Sequence, residues 1–195
     1  MSSKHPELVR FIKEFAVMHG QFKLASGLTS DYYIDGKQIV SRPDGLRLVA
    51  EAIREELADY PVDAIGGLEI GAIYIATAVA FASVNWPKPI PLFTVRKAKK
   101  EHGSQKQVEG VIPEGGSVAV VDDVVTTGGS VIQAIEAIRG KGCRVALAVT
   151  IVDRCSGAAE ALADLGVPYR PLLSIVDLGL SNEQTCRSSL QRTGS

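Results

Sequence analysis

What this chain lacks narrows its nature before any motif is read. In 195 residues no stretch approaches about 18 uninterrupted apolar positions, and the opening MSSKHPELVRF has no apolar core of signal-peptide length. Neither a membrane span nor a secretory leader is expected. Charge of one sign is missing too. Lys and Arg number 21 against 22 Asp and Glu, so the net charge of −1 supplies no general field for nucleic acid, and any anion site must be local. Cysteine is sparse: Cys143, Cys155 and Cys186 are odd in number, widely spaced and without metal-ligand spacing, and they read as reduced thiols of a soluble cytoplasmic protein. Two common phosphate motifs are absent. No Gly-x-x-x-x-Gly-Lys-Ser/Thr occurs, and Gly66-Gly67-Leu68-Glu69-Ile70-Gly71 lacks the dinucleotide fingerprint spacing. With no repeat, low-complexity tract or linker, a 46% hydrophobic chain of this length predicts one domain around one sizeable core.

What is present alternates. Pro6 opens a helix in which Leu8, Phe11, Ile12 and Phe15 share a face, expected to run to Gly20. Short strands over 22–25 and 32–35 predict a small hairpin, and together these elements form a hood over about residues 1–40. Pro43 starts a second helix, which Pro61 ends. Apolar strands then follow over 64–68, 90–95, 118–121, 144–152 and 169–176, with helices over 72–81, 131–139 and 158–165. Five such strands separated by helices predict an α/β core over about 41–180, with a central, mostly parallel five-stranded sheet flanked by helices. Ser181-Asn182-Glu183-Gln184 has capping-box spacing for a short last helix, and 192–195 reads as a frayed tail.

The densest stretch is 117–138, SVAVVDDVVTTGGSVIQAIEAI. A β-branched run suits a strand buried on both faces, and Asp122 and Asp123 follow at its carboxyl end, where open α/β sheets bind ligands. Thr126-Thr127-Gly128-Gly129-Ser130 then opens a helix, offering backbone N–H groups, hydroxyls and a positive dipole end to a phosphate. TTGGS alone would serve equally as an ordinary turn with a Thr or Ser cap. The acid pair tips the balance. Two carboxylates beside a phosphate are tolerable only if the ligand also brings hydroxyls or a metal, as a phosphorylated sugar with Mg²⁺ does.

Regular alternation breaks over 96–116, RKAKKEHGSQKQVEGVIPEGG, a polar stretch where an apolar crossover helix would normally stand. Arg96, Lys97, Lys99, Lys100, His102 and Lys106 put six cationic or potentially cationic groups in eleven residues. A solvated basic loop is the plain alternative. Against it, the run starts at a strand's carboxyl end, is flanked by Gly103 and Gly110, and sits in a nearly neutral protein.

The acid pair and following loop resemble the signature of type I phosphoribosyltransferases. Arg96-Lys97-x-x-Lys100-x-His102-Gly103 narrows that likeness to the catalytic loop of the orotate phosphoribosyltransferases. The resemblance spans nearly the whole chain and implies transfer of a phosphoribosyl group from phosphoribosyl diphosphate (PRPP) to orotate. The products are orotidine 5′-monophosphate and diphosphate, formed with Mg²⁺ carried mainly by the donor and with no dedicated protein metal site. It further implies that Lys100, His102, Asp122 and Asp123 act in catalysis. Arg96, Lys97, Lys100, His102, Asp122, Asp123 and the run Val124, Val125, Thr126, Thr127, Gly128, Gly129 and Ser130 would hold the donor, and Thr126 and Arg154 the orotate. In such a homodimer the mobile loop, about 96–116, reaches the neighbouring subunit, where Lys99 would serve the adjacent site.

Arg154 also stands on its own chemistry, a planar fork at a strand's carboxyl end suited to a carboxylate, with pairing to Asp153 or another acid as the alternative. Phe22 to Gly27 with Ser30 and 32–35 resembles the family's flap over the base. Two departures stand out: Ala25 and Glu69-Ile70-Gly71 occupy places where many members carry Lys. A purine transferase of the same fold, or a non-enzymatic PRPP-binding regulator of nucleic acid, are the rival readings; the near-neutral charge opposes the latter.

Overall fold

The structure is a computed structural model that describes residues 3–23, 29–97 and 107–180. Pro6 starts helix α1 (Pro6–Phe15), where a missing N–H is harmless, and the helix buries Leu8 and Ile12. It stops short of Gly20 because strand pairing claims the next residues. Strand β1 (Val17–Lys23) lies antiparallel to β2 (Thr29–Ile34), with Val17 opposite Ile34 and Lys23 opposite Thr29. The hairpin is therefore longer than the alternation of its side chains suggested, and Ala25 lies outside the described residues. Asp35 then caps a helix not foreseen, α2 (Gly36–Val40), by accepting the Lys37 N–H at 3.1 Å. Helix α3 (Pro43–Glu56) follows as expected.

The core proceeds through β3 (Ala64–Leu68), α4 (Gly71–Ala82), β4 (Leu92–Val95), β5 (Val108–Gly110), β6 (Ser117–Val125), α5 (Gly129–Arg139), β7 (Arg144–Asp153), α6 (Ala158–Asp164) and β8 (Tyr169–Ser174). One sheet of six strands, not five, runs in the order β5-β4-β3-β6-β7-β8. The added strand is the three-residue β5, antiparallel to β4 with Val108 opposite Val95. One apolar residue in VEG carries no periodic signal, but Val108 is buried, and pairing with the edge of β4 satisfies its backbone. The Arg96 N–H bonds the Gln107 carbonyl at 2.9 Å, so the basic stretch is closed at its base like a hairpin. Residues 98–106, with Lys99, Lys100, His102 and Lys106, lie outside the described residues, as does the expected helix at 181–184.

Apolar residues alternate along β6. Val118 and Val120 join the cluster under α5 and α6, while Ala119 and Val121 join the one under α1 to α4. Strand order reverses between β3 and β6, whose carboxyl ends therefore bound the crevice in which an open parallel sheet receives a ligand.

Candidate active site

Strand β6 does not stop at Val121; pairing with β7 carries it through Val125, with Val124 opposite Val152 and Val125 opposite Asp153. The two acids are thus strand residues, and the pleat sends their side chains to opposite faces of the sheet. Asp122 faces the α5 side beside Thr150. Burial, then the neighbouring Asp123 charge, pushes its carboxyl up to about 7, with Lys97 opposing the rise.

Asp123 faces the other side, between the first residues of α2 and α4. A side chain at Gly36 would overlap its carboxylate, and a Cβ at Gly71 would come within 2.9 Å of its Cγ. Two helix amino ends thus meet this acid, a setting that suits negative charge. Neither glycine carries a sequence signal for this role; Asp35-Gly36, a capping residue before a small one, is the readable hint at the first.

The loop after the acids is open. Thr126, Thr127, Gly129 and Ser130 are exposed, and Gly128 is buried against Ala158 at φ +82°, a left-handed conformation that favours glycine. Gly128 is the N-cap of α5 and no side chain caps the helix. The hydroxyl-capped turn is therefore not what forms, and the first-turn N–H groups take no side-chain cap. Val125 is a core residue and Val124 packs on the α4 side, so of this pair only backbone is offered to a ligand.

The base of the cationic stretch is held against the acids. The Lys97 N–H bonds Glu69 Oε1 at 3.1 Å, and its carbonyl accepts Gln133 Nε2 at 3.1 Å from α5. Glu69 ties down the stretch rather than meeting an anion. Arg96 Nη1 is 3.7 Å from Glu109 Oε1, and its Nε is buried with no partner among the described residues. Ile70, 59% exposed, opens onto the surface beside Gly71.

Across the crevice Arg154 donates its backbone N–H to the Val125 carbonyl at 2.9 Å, and its guanidinium lies 5.2 Å from the centre of the Tyr32 ring. Asp153 does not take the guanidinium; its Oδ1 accepts the Cys155 N–H at 2.7 Å. Tyr32 brings the hood over this end of the sheet. One expectation is corrected nearby. Cys155 is disulfide-bonded, with its partner outside the described residues, whereas Cys143 is free. Pairing depends on distance in the fold, which spacing along the chain does not report.

Residues 35–167 match the family model for the phosphoribosyl transferase domain. The orotate phosphoribosyltransferase of Corynebacterium glutamicum is 44% identical over 175 residues, 90% of this chain and 94% of that one. Among solved structures, a phosphoribosyltransferase from Corynebacterium diphtheriae superposes with a TM-score of 0.80 at 38% identity, covering 91% of this chain and 99% of its own. Mycobacterium tuberculosis orotate phosphoribosyltransferase in complex with 5-phospho-α-D-ribosyl 1-diphosphate gives 0.75 at 35%, covering 89% and 98%. The uncapped α5, the acid pair before it and the likeness along almost the entire chain have one explanation: the chain belongs to the phosphoribosyltransferase family and, within it, to the orotate phosphoribosyltransferases.

Proposed function

We propose that this protein transfers the 5-phosphoribosyl group of PRPP to orotate, releasing diphosphate and forming orotidine 5′-monophosphate for pyrimidine synthesis. The observation that carries the reading is the acid pair split across β6 directly before an uncapped helix end. The first turn of α5 and the hydroxyls of Thr126, Thr127 and Ser130 bind the 5′-phosphate. Asp122 and Asp123 accept hydrogen bonds from the ribose hydroxyls and stabilise positive charge that grows on the ring as the C1–oxygen bond breaks. Arg96 and Lys97, with Lys100 and His102 of the same run, receive the departing diphosphate, and the His102 imidazole has the chemistry to protonate it. Arg154 and Thr126 hold the orotate, with Tyr32 covering it.

Mg²⁺ would come with the donor, held mainly by PRPP and diphosphate oxygens, since Asp122 and Asp123 face opposite sides of the sheet and form no joint ligand pair. Among the described residues no three His, Cys, Asp or Glu side chains gather, so its shell would be substrate oxygens and water. When bound it would neutralise diphosphate charge. Both substrates are anions that do not cross a bilayer unaided, which puts the reaction in the compartment that makes them, the cytoplasm; no described helix is long and apolar enough to span a membrane. Product formation with orotate, adenine, hypoxanthine, guanine and uracil, each with and without EDTA, tests the reading. Turnover with orotate alone, lost on chelation, is the expected result, and none with orotate refutes it.

The working unit is a homodimer. Helix α4 is apolar on every side, and Ile70, Tyr74, Phe81 and Val84 leave an exposed stripe at helical spacing, 59%, 43%, 81% and 67% accessible. The stripe begins beside Gly71, so a second copy seated on it would border the site. A separate consequence follows from the walls of Asp123. Gly36→Ala should displace the carboxylate and lower kcat/KM for PRPP about 10²-fold, with little change in KM for orotate; steady-state kinetics with both substrates varied will check this, and unchanged kinetics would detach Asp123 from the donor.

A further inference from the structure

Below the orotate end of the crevice lies a buried polar cluster that the proposed reaction leaves unused. Thr150, Asp153 and Tyr169 are each 1% exposed. The hydroxyls of Thr150 and Tyr169 are 2.8 Å apart, and the Tyr169 hydroxyl adjoins the Asp153 carboxylate. Three buried polar side chains are costly unless each finds a partner. Here the partners also fix a direction. The Tyr169 hydroxyl acts on the Asp153 carboxyl as a hydrogen-bond donor would, and a Tyr169 proton turned that way leaves Thr150 to donate to Tyr169.

Asp153 spends its other contacts on one turn. Its Oδ1 accepts the Cys155 N–H at 2.7 Å, closing an Asx turn around Arg154, and its carbonyl accepts the Ile175 N–H at 3.0 Å. Cys155 has φ +53°, a conformation that a residue with a side chain keeps only where neighbours impose it. The Asp153 carboxylate, on the Cys155 N–H, is one of the groups that hold it there. Arg154 is otherwise held by its N–H on the Val125 carbonyl and by the Ser156 hydroxyl, which donates to the Arg154 carbonyl at 3.2 Å. The direction in which Arg154 leaves the sheet therefore depends on a carboxylate whose own orientation two buried hydroxyls set. Burial pushes the Asp153 carboxyl up, and the Cys155 N–H and Tyr169 hydroxyl work against that rise, so the cluster favours the charged form that the turn's N–H prefers.

We infer that Thr150 and Tyr169 are positioning residues which, through Asp153, hold the turn that presents Arg154 and so tune affinity for the acceptor base rather than for the phosphoribosyl donor. The inference rests on the proposed assignment of Arg154 to orotate. It differs from simple core packing, in which loss of the hydroxyl would lower stability and leave substrate affinities alone.

Tyr169→Phe keeps the ring and removes the hydroxyl. Steady-state kinetics on the full chain should give a KM for orotate raised about tenfold, with KM for PRPP within about twofold. Combined with Arg154→Ala, it should weaken orotate no further than Arg154→Ala does alone, because both changes remove the same contact. An equal rise in both KM values, an additive double variant, or a lowered melting temperature with both KM values unchanged would overturn the inference. Should Tyr169→Phe fail to fold, Thr150→Val must give the same one-sided rise at about threefold, and no such rise is equally fatal. Wild-type turnover of orotate, measured alongside, reports separately on the reaction; its absence removes the reading on which the inference stands.

Discussion

Asp122→Asn should melt higher than the wild type at pH 8 while losing two to three orders of magnitude in turnover. The carboxyl is pushed from 3.8 to about 7, first by burial and then by the Asp123 charge. Between those values the native state holds a proton that the unfolded chain has released, so the stability contributed by this group is fullest on the acid side and declines as pH rises to about 7. An asparagine has no charge to bury. After allowance for water reaching a partly enclosed group, the variant should gain on the order of 2 kcal/mol at pH 8, roughly 4–8 °C in melting temperature for a domain of this size. Calorimetry from pH 4 to pH 8 on both proteins checks the sign. A wild-type curve parallel to that of the variant would disprove the buried charge. The same carboxylate is needed ionised to accept the ribose hydroxyls, so wild-type kcat/KM for PRPP should fall as pH drops below about 7. The loss of about 10²–10³ on substitution is the usual size for one group facing charge that develops in a transition state. An apo-state strain that serves the bound state is the reason the two effects have opposite sign.

Lys100→Ala should lower turnover about 10²-fold with the melting temperature nearly unchanged. Lys100 lies outside the described residues; the prediction comes from its place in the Arg96 to Gly103 motif and from how that motif is rooted. Arg96 is joined to Gln107 at the closed base of the stretch, and Lys97 is held between Glu69 and Gln133, close enough for its charge to act on Asp122. A run that starts there can reach a diphosphate leaving the crevice. If the run instead serves the partner's crevice, Lys100→Ala and Asp123→Asn are defects of different chains in one active site. Mixing the two inactive proteins should then restore up to about one quarter of wild-type activity in randomly assorted dimers, each hybrid having one intact site. Full activity of Lys100→Ala would refute the loop's role; no recovery despite demonstrated subunit exchange would confine the loop to its own chain.

Much of the fold was readable because its core strands are apolar runs separated by helical spacing, and five of them appear near where those runs put them. The misses share a cause. β5 is too short to show a period and exists because β4 has an edge to pair. α1 stops early because Val17 finds a partner in Ile34. β6 was expected to end at Val121 since aspartates are poor strand formers, yet pairing with β7 outweighs that preference. In each case a long-range partner overrode a local tendency. The site shows the same division. The acids, the small-residue loop and Arg154 were legible as chemistry along the chain, whereas Gly36, Gln133 and Tyr169 are ordinary residues, and Glu69 and Gly71 only departures from a pattern, until the sheet brings them to those groups.

By itself the sequence determined the order strand, acid pair, small-residue loop and helix, the basic run after β4, and through them the family. These are properties of neighbours along the chain, where residue type and period suffice. The tertiary structure alone decided that Asp122 and Asp123 face opposite sides of one sheet, the first against Lys97 and a low-dielectric wall, the second between two helix amino ends. It also decided that α5 starts without a side-chain cap, leaving its N–H groups for a ligand. Strand continuation, sheet order and glycine-permitted close approach are set by the energy of the whole packed core, and no window of sequence contains it.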